Sequence, residues 1–384
     1  MNPVFANLPT TIFTVMSGLA VEHGAINLGQ GFPDNEGPDD VRAAASEALL
    51  NGSNQYPPMM GLPGLRQASA EHYRRFHGVD LDWKTQVLVT SGATEALAAS
   101  IMALVSPGDE VVLFEPAYDS YAPQARAVGG VPRFVRLEPP AWRITDAALE
   151  AVTTERTRVV VFNNPQNPAA RVYARAELQV LADWIRRHDL IAICDEVWEH
   201  LVYDGRSHVP LMSLPGMAGR CVKIGSAGKI FSLTGWKVGM VCAAPELIAV
   251  IGKAHQFLTF TTPPNLQTGV AYGLGKDDAY FLEMRAHYAR SRDRLAVGLS
   301  AEGFSVIPSE GTYFLNVDIA ASGLNIDDEA FCKRAVVEAG VAAIPVSAFY
   351  ESQPVRSVVR LCFAKKDSTI DAGIERLAKA RRLF

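Results

Sequence analysis

The sequence has few cysteines, no long apolar run and no cluster of basic residues. Its five cysteines are scattered over 384 residues without a Cys-x-x-Cys pair, which argues against a disulfide framework and against a thiolate zinc site. No apolar stretch approaches the roughly 18 residues of a membrane-spanning helix. The formal net charge of −5 gives no support to a nucleic-acid or anionic-membrane partner.

The first residues also lack the pattern of a secretory signal. Between Met1 and Leu28, no basic segment is followed by an apolar run. Combined with the scattered cysteines, this predicts reduced thiols and a location in the cytoplasm. The chain is longer than the roughly 250–300 residues at which a single core stops growing, so at least two domains are expected.

Short apolar runs alternate with amphipathic segments through the middle of the chain. Helical spacing of apolar residues is present at 93–105 and 176–188. This alternation predicts an α/β fold with a mostly parallel sheet, in which ligand sites lie past the carboxyl ends of the strands. The predicted strands are 87–90, 110–114, 158–162, 190–194, 221–225 and 238–243.

The chain after about residue 275 has a different pattern. A long charged helix is predicted at 277–302, followed by a helix near 327–339 and a strand at 358–363. Together with the irregular segment 1–40, these elements predict a second, smaller α+β domain that is built from both chain ends.

The segment from Ile224 to Gly239 combines small residues, hydroxyls and two lysines behind a predicted strand. Ser226 and Lys237 can hold a phosphate, one by a hydrogen bond and one by its charge. Lys229 lies between them, and a lysine in a semi-enclosed site can form a Schiff base with an aldehyde. A surface loop with solvated lysines is the alternative. A nucleotide P-loop fits poorly, because the two glycines are too close together and isoleucine follows the lysine.

Two further polar residues follow predicted strands. Asp195 ends the strand at 190–194, where its carboxylate can pair with the protonated nitrogen of a pyridine ring such as that of pyridoxal phosphate (PLP). It can equally cap the next helix. Asn167 lies in the turn Asn163–Pro168, and its amide can reach a ring hydroxyl oxygen, although Asn/Pro clusters are also typical of ordinary turns.

An anion site and an aromatic residue complete the set. Gly92, Ala93 and Thr94 stand at the start of the helix predicted at 93–105, where backbone N–H groups and a hydroxyl suit a phosphate. An ordinary helix cap is the alternative there. Tyr118 follows the next strand and can stack on a flat heterocycle or serve in packing.

As an ordered set, these segments resemble the class I aminotransferases of the PLP fold type I superfamily, in particular the kynurenine/glutamine and methionine aminotransferases. The resemblance covers nearly the whole chain and is carried by Ile26–Asp34, Asn54–Pro58, Leu201–Gly205 and Gly225–Gly239. It implies a PLP-dependent aminotransferase. Such an enzyme would move an amino group from an aromatic or uncharged L-amino acid, such as methionine, glutamine or kynurenine, to a 2-oxo acid by a ping-pong mechanism.

The resemblance also implies a domain organisation. A large domain would contain a mostly parallel seven-stranded sheet sandwiched by helices, and a smaller α+β domain would accompany it. Residues 1–40 are expected to form an N-terminal arm and part of the small domain. Residues 41–275 would form the large PLP-binding domain, and residues 276–384 the small C-terminal domain.

A role is implied for each matched residue. Lys229 would carry PLP as a Schiff base and act as a catalytic residue together with Asp195, the partner of the ring nitrogen. Arg360, which taken alone is typical of a structural strand residue, would bind the substrate α-carboxylate beside Gly31 and Asn167. The other implied cofactor contacts are Gly92, Ala93, Thr94, Ser226 and Lys237 at the phosphate, Tyr118 stacked on the ring, and Asn167 and Trp198 near its hydroxyl oxygen.

A homodimer with shared active sites and no metal is implied as well. Tyr56 would reach the phosphate of the neighbouring subunit, and Phe260 would contribute to the substrate site across the dimer. At position 198 the family has a tyrosine, whereas this sequence has Trp198, whose indole can donate but cannot accept a hydrogen bond. Ile12, Phe13 and Tyr313 are expected to line the pocket for the substrate side chain.

Several alternatives use the same residues. A PLP-dependent cysteine-conjugate β-lyase would share the site, and a succinyldiaminopimelate-type aminotransferase would differ in its donor. A PLP-sensing transcription regulator of this fold would need a DNA-binding domain, for which we expect segment 1–40 to be too short. A non-catalytic relative is disfavoured because Lys229, Asp195 and Arg360 are all present.

Overall fold

The computed structural model describes residues 1–384. In chain order its strands are β1 (Ile26–Asn27), β2 (Val87–Thr90), β3 (Glu110–Glu115), β4 (Val131–Arg136), β5 (Thr157–Asn163), β6 (Ile191–Asp195), β7 (Cys221–Ser226), β8 (Gly239–Ala243), β9 (Ser305–Ile307), β10 (Phe314–Asp318), β11 (Val341–Ala342), β12 (Ile344–Pro345) and β13 (Val358–Cys362).

The α-helices lie between and around these strands. In chain order they are α1 (Pro3–Ala6), α2 (Ile12–Glu22), α3 (Asp39–Asn51), α4 (Pro63–His77), α5 (Gly92–Leu104), α6 (Tyr121–Ala127), α7 (Asp146–Glu150), α8 (Arg175–Arg187), α9 (Ala227–Ile230), α10 (Pro245–Leu258), α11 (Pro264–Leu274), α12 (Asp278–Ala301), α13 (Asp328–Arg334) and α14 (Asp367–Arg381). No helix has both the length and the apolar character needed to cross a membrane.

The largest sheet has seven strands in the order β2-β8-β7-β6-β5-β3-β4. Only β8 runs antiparallel to its neighbours, and the other pairs are parallel. The predicted α/β fold with a mostly parallel seven-stranded sheet is therefore confirmed. The edge strand β4 was not predicted, because its residues are mostly exposed or half-buried and form no apolar run.

The C-terminal part of the chain forms a second sheet, which is antiparallel, with the order β12-β13-β10-β9. Near it, β1 pairs in parallel with β11, so the start of the chain is fastened to the region after residue 340. The helix predicted near 327–339 is α13 continued by a π-helical turn, which ends at Gly340 in a left-handed conformation with a φ of 78°. The domain limits at residues 40 and 275 stay a prediction.

Apolar side chains at helical spacing hold the helices against the sheet. In α8, Leu178, Leu181 and Ile185 are buried at intervals of three and four residues, whereas Arg186 and Arg187 at its end face solvent. Full burial of such an aliphatic side chain contributes about 1.5–3 kcal/mol. The packed helices keep the strands aligned, which in turn fixes the loops at the strand ends.

A cluster of buried charges lies behind the carboxyl end of the sheet. The fully buried Lys223 in β7 places its Nζ 2.5 Å from Glu199 Oε2 and 3.6 Å from Glu196 Oε2. His77 Nε2 lies 3.0 Å from Glu199 Oε2, and His208 Nε2 lies 3.2 Å from Glu196 Oε2. Burial alone would lower the pKa of Lys223, but the two carboxylates outweigh it and raise that pKa. Lys223 is therefore charged and paired.

This ion cluster fixes the short segment that follows β6. Glu196 and Glu199 of that segment point to Lys223, whereas Trp198 of the same segment and Asp195, the last residue of β6, line a cavity. The ion pairs with Lys223 of β7 and the hydrogen bond with His77 at the end of α4 thus hold the backbone from which Asp195 and Trp198 extend.

Removal of the Lys223 charge is expected to destabilise the fold. In Lys223→Met, both carboxylates remain buried without their cation, and loss of one partner from a buried pair costs about 3–5 kcal/mol. Urea unfolding of the cofactor-free protein measures this change. Lys333→Met is the matched control, because Lys333 pairs with Glu329 on the exposed face of α13 and such a pair contributes only about 0.3–0.5 kcal/mol. A similar loss in both variants would contradict the assignment.

Candidate active site

A cavity of about 330 Å³ opens where β2, β3, β5, β6 and β7 end. Its position agrees with the expectation that ligand sites of parallel sheets lie past the carboxyl ends of strands. Twelve of the fourteen site residues predicted from the sequence line it. These are Gly31, Gly92, Ala93, Thr94, Tyr118, Asn167, Asp195, Trp198, Ser226, Lys229, Lys237 and Arg360.

The amine of Lys229 lies inside this cavity. The short helix α9 follows β7 directly and turns the side chain inward, so that Nζ lies 3.0 Å from the hydroxyl of Tyr313 and 4.7 Å from the centre of the Trp198 ring. Burial lowers the pKa of Lys229 to about 8, and the nearby cations Arg360 and Lys237 act in the same direction. An amine of this kind is available as a nucleophile and a base near neutral pH.

Asp195 presents one carboxylate oxygen without a partner. Its Oδ2 accepts a hydrogen bond from the Tyr121 hydroxyl at 2.6 Å, whereas Oδ1 is buried and has no hydrogen-bond partner. Burial raises the pKa of Asp195 above its ordinary value. Asn163 supports the same strand end by donating from its amide to the Asp195 carbonyl at 2.8 Å. A buried carboxylate oxygen of this kind is suited to a cationic or N–H partner in the cavity.

Arg360 is a buried cation whose polar contacts are neutral. It extends from β13, and its guanidinium donates to Asn167 Oδ1 at 2.7 Å and to the Gly29 carbonyl at 3.0 Å, while Nε has no partner. The ring of Phe314 lies 3.9 Å away and that of Phe13 lies 5.2 Å away. Burial lowers the pKa of Arg360 to about 10. A guanidinium held in this way is suited to a carboxylate ligand, which it binds with two hydrogen bonds.

The other end of the cavity is suited to a phosphate. Helix α5 begins at Gly92, and no side chain caps its first N–H groups, which belong to Ala93 and Thr94 among others. Gly92 has a φ of 77°, and a Cβ there would lie 3.0 Å from Lys237 Cε. The absence of a side chain thus lets the lysine approach the helix N-terminus, which is itself an anion site. Ser226 lies beside them in the lining.

Three aromatic residues line or flank the cavity beside Lys229. Tyr118 lines it, and its ring packs edge-on against Tyr121 with centroids 5.7 Å apart. Trp198 occupies the wall next to Lys229 and packs edge-on against Tyr313 at 4.4 Å. Tyr313 was expected to line the side-chain pocket, but it is not part of the lining, and its hydroxyl accepts a hydrogen bond from Lys229.

Two predicted residues lie away from the cavity of the chain to which they belong. Tyr56 and Phe260 are not part of the lining, and their rings pack on each other with centroids 5.4 Å apart. Tyr56 is 82% exposed, so most of its side chain is free to contact another chain. Phe13 lines the cavity as expected, whereas Ile12 does not.

Sequence reasoning missed two supporting residues, Tyr121 and Asn163. Tyr121 lies close in sequence to Tyr118, and Asn163 lies close to Asn167, but only Tyr118 and Asn167 were predicted to belong to the site. Their contacts with Asp195 join segments far apart in the chain, and no spacing rule carries such information. Asn163 also has a local contact within the turn, because its Oδ1 accepts from the Asn167 N–H at 2.7 Å.

Comparison with known proteins shows the family. The family model of class I and II aminotransferases matches residues 23–377, and the chain belongs to this family. It is 42% identical to the methionine aminotransferase of Escherichia coli over 96% of each chain. It is 37% identical to kynurenine–oxoglutarate transaminase 1 of Rattus norvegicus over 95% of this chain and 94% of the relative.

A solved structure agrees with these relatives. The N-succinyldiaminopimelate aminotransferase of Mycobacterium tuberculosis superposes with a TM-score of 0.96 at 43% identity, covering 99% of this chain and 100% of the other. The PLP fold type I architecture is thereby confirmed. The protein is a PLP-dependent aminotransferase, since this family uses PLP. Because all three relatives are aminotransferases or transaminases by name, the lyase alternative is not favoured.

The environment of Lys229 gives a prediction for the cofactor-free protein. With a pKa of about 8, Lys229 loses its proton well before an ordinary lysine with a pKa of about 10.4. We therefore expect acylation of Lys229 to rise with pH through a midpoint near 8. Peptide mass spectrometry over a pH series measures it, with the exposed Lys253 of α10 as internal reference. A midpoint equal to that of exposed lysines would contradict the prediction.

Proposed function

We propose that this aminotransferase moves the amino group of an uncharged or aromatic L-amino acid to a 2-oxo acid by a ping-pong mechanism, with Lys229 and Asp195 as catalytic residues. The observation that carries the proposal is Arg360, a buried guanidinium with only neutral contacts, which faces the same cavity as the Lys229 amine. The guanidinium suits the α-carboxylate that an α-amino acid and a 2-oxo acid share. The amine suits the aldehyde of PLP and the proton on the Cα next to that carboxylate.

The residues of the cavity fit PLP. Lys229 would hold its aldehyde as a Schiff base, and the unpartnered Oδ1 of Asp195 would accept from the ring nitrogen. Tyr118 would stack on the ring, while Asn167 and Trp198 would lie near its hydroxyl oxygen. The phosphate would lie at the remaining set of predicted contacts, which comprises Gly92, Ala93, Thr94, Ser226 and Lys237.

The protein residues supply positioning and proton transfer. When bound, PLP supplies an electron-accepting ring that stabilises negative charge at the substrate Cα. Asp195 keeps the ring nitrogen protonated by its charge. Arg360 fixes the substrate carboxylate and so directs the Cα–H bond. Lys229 Nζ removes the Cα proton as a general base and holds it until it is returned, which a pKa of about 8 permits near neutral pH.

The lining of the cavity supports an uncharged or aromatic donor. Its cations are Lys229, Lys237 and Arg360, and each has a place in the assignment above. The rings of Phe13 and Phe314 lie near Arg360, and the ring of Phe32 lines the same cavity. Apolar rings favour methionine-like or aromatic side chains. A second carboxylate on the donor would require a cation beyond these three.

Arg360→Lys tests the assignment of the carboxylate. Lysine keeps the charge but loses the two-pronged hydrogen bond, so kcat/KM for methionine is expected to fall on the order of 100-fold. The amino-acid half-reaction is measured with methionine alone, because a ping-pong enzyme releases its first product before the second substrate binds.

Two controls accompany this experiment. For a donor amine that lacks the α-carboxylate, wild type and Arg360→Lys are expected to react equally slowly, since the lost contact is absent from both. Lys229→Ala is expected to have no turnover and no covalently bound cofactor after borohydride reduction. An unchanged kcat/KM for methionine in Arg360→Lys would refute the proposed carboxylate site.

We further propose a homodimer with shared active sites and a location in the cytoplasm. Exposed aromatic residues support the dimer, because Tyr56 is 82% and Phe257 is 83% exposed, and Phe260 packs on Tyr56. Exposed aromatic side chains are enriched at protein interfaces. Tyr56 and Phe260 would cross the dimer interface to the phosphate and substrate sites of the partner. All five cysteines are free and buried, which supports a reducing compartment.

Hybrid dimers test whether Tyr56 acts across the interface. Lys229→Ala chains are combined with Tyr56→Ala chains by co-expression with two affinity tags. If Tyr56 serves the partner site, each hybrid contains one site with intact Lys229 and intact Tyr56, and activity exceeds that of both parent variants. If Tyr56 serves the site of its own chain, no hybrid site is intact. Hybrid activity no higher than the parents would contradict the shared site.

A further inference from the structure

The Lys229 amine has one hydroxyl neighbour, and that hydroxyl has no free proton. The Tyr313 hydroxyl lies 3.0 Å from Lys229 Nζ, and it also donates a close hydrogen bond to the Gly31 carbonyl. A hydroxyl has a single proton, and a carbonyl can only accept. Tyr313 therefore accepts from Lys229 through a lone pair, and the direction of the contact is fixed by Gly31.

We propose that Tyr313 is a positioning residue that orients the Lys229 amine and links it to the substrate-carboxylate site through the loop Gly29–Gly31. This inference rests on the proposed function, in which Lys229 is the base and Arg360 binds the carboxylate. The loop contacts both residues, because the Gly29 carbonyl accepts a hydrogen bond from Arg360 and the Gly31 carbonyl accepts one from Tyr313.

Packing around the Tyr313 ring leaves its hydroxyl little freedom. The residue is buried, and its ring lies edge-on to Trp198 at 4.4 Å and to Phe314 at 5.0 Å. A side chain at position 31 would lie 2.7 Å from the Phe314 ring, so the loop also needs glycine there to approach the two aromatic residues. The hydroxyl is thus held at a fixed place relative to Lys229.

The contact has an electrostatic consequence for Lys229. Burial raises the pKa of Tyr313 well above its ordinary value, so the residue acts as a neutral dipole. A lone pair directed at an amine favours the protonated amine. The charged or titratable groups that face Lys229 are Cys362 and Asp195, which raise its pKa, and Arg360 and Lys237, which lower it. The Tyr313 hydroxyl, like Cys362 and Asp195, raises the pKa of Lys229 and so opposes the effect of burial.

Tyr313→Phe removes the hydroxyl and keeps the ring. In cofactor-free protein, the midpoint of Lys229 acylation is expected to fall by about one pH unit, because the lone pair that favoured the ammonium is lost. In the PLP-loaded enzyme, kcat for methionine is expected to fall by about 10-fold. KM is expected to change by less than about twofold, since Arg360 is intact.

Tyr288→Phe is the matched control. Tyr288 is also buried, and its ring centroid lies 6.2 Å from that of Tyr313, but its hydroxyl bonds to Ser232 at 2.8 Å and Asn35 at 3.4 Å rather than to Lys229. This variant removes a buried hydroxyl from the same neighbourhood and should leave both the acylation midpoint and kcat unchanged. Circular dichroism and thermal unfolding establish that both variants fold.

The outcomes separate this inference from the proposed function. A lower acylation midpoint and a lower kcat in Tyr313→Phe, with neither change in Tyr288→Phe, would support the role of Tyr313. An unchanged midpoint in Tyr313→Phe, or equal changes in both variants, would overturn it. Failure of the proposed function has a different signature, namely turnover that persists in Lys229→Ala.

Discussion

The buried ion cluster of Lys223 with Glu196 and Glu199 is the interaction on which the site depends most. The short segment after β6 directs Glu196 and Glu199 toward Lys223, whereas its Trp198 and the last residue of β6, Asp195, line the cavity. A loop at the end of a strand is ordinarily mobile. Here ion pairs in the low-dielectric interior fix the backbone of this loop. Asp195, at the end of the adjoining strand, therefore has a defined position before any ligand binds. Rigid support of this kind is what electrostatic preorganisation requires.

In the ion cluster two carboxylates surround one lysine, whereas in the cavity the cations outnumber the carboxylates. Three cations, Lys229, Lys237 and Arg360, line it together with the single carboxylate of Asp195. The Lys229 ammonium and the Arg360 guanidinium lose solvation without gaining equal compensation from the protein, as their lowered pKa values reflect. A phosphate and an α-carboxylate would restore the balance. The same arrangement that destabilises the empty site therefore provides affinity for anionic ligands.

Much of the fold and most of the cavity lining could be predicted because they follow from local patterns. Apolar runs gave the inner strands, and Lys229 and Asp195 lie where such runs end. The strand β4 escaped prediction because an edge strand needs little apolar character, and α13 ends in a π-helical turn that no periodicity marks. Lys223 lies inside an otherwise apolar strand, and Tyr121 and Tyr313 contact residues far away in sequence. Their roles depend on tertiary packing, which a single sequence does not display.

The unbalanced cations have a consequence for the life of the protein in a cell. Anionic ligands bind the folded cavity and not the unfolded chain, so the free energy of unfolding rises with their concentration. Proteases act on the opened chain, whose population falls as that free energy rises. The rate at which the protein is degraded is thus linked to the supply of PLP. A cell short of the cofactor would lose enzyme molecules as well as activity, because newly made chains would be degraded before they are filled.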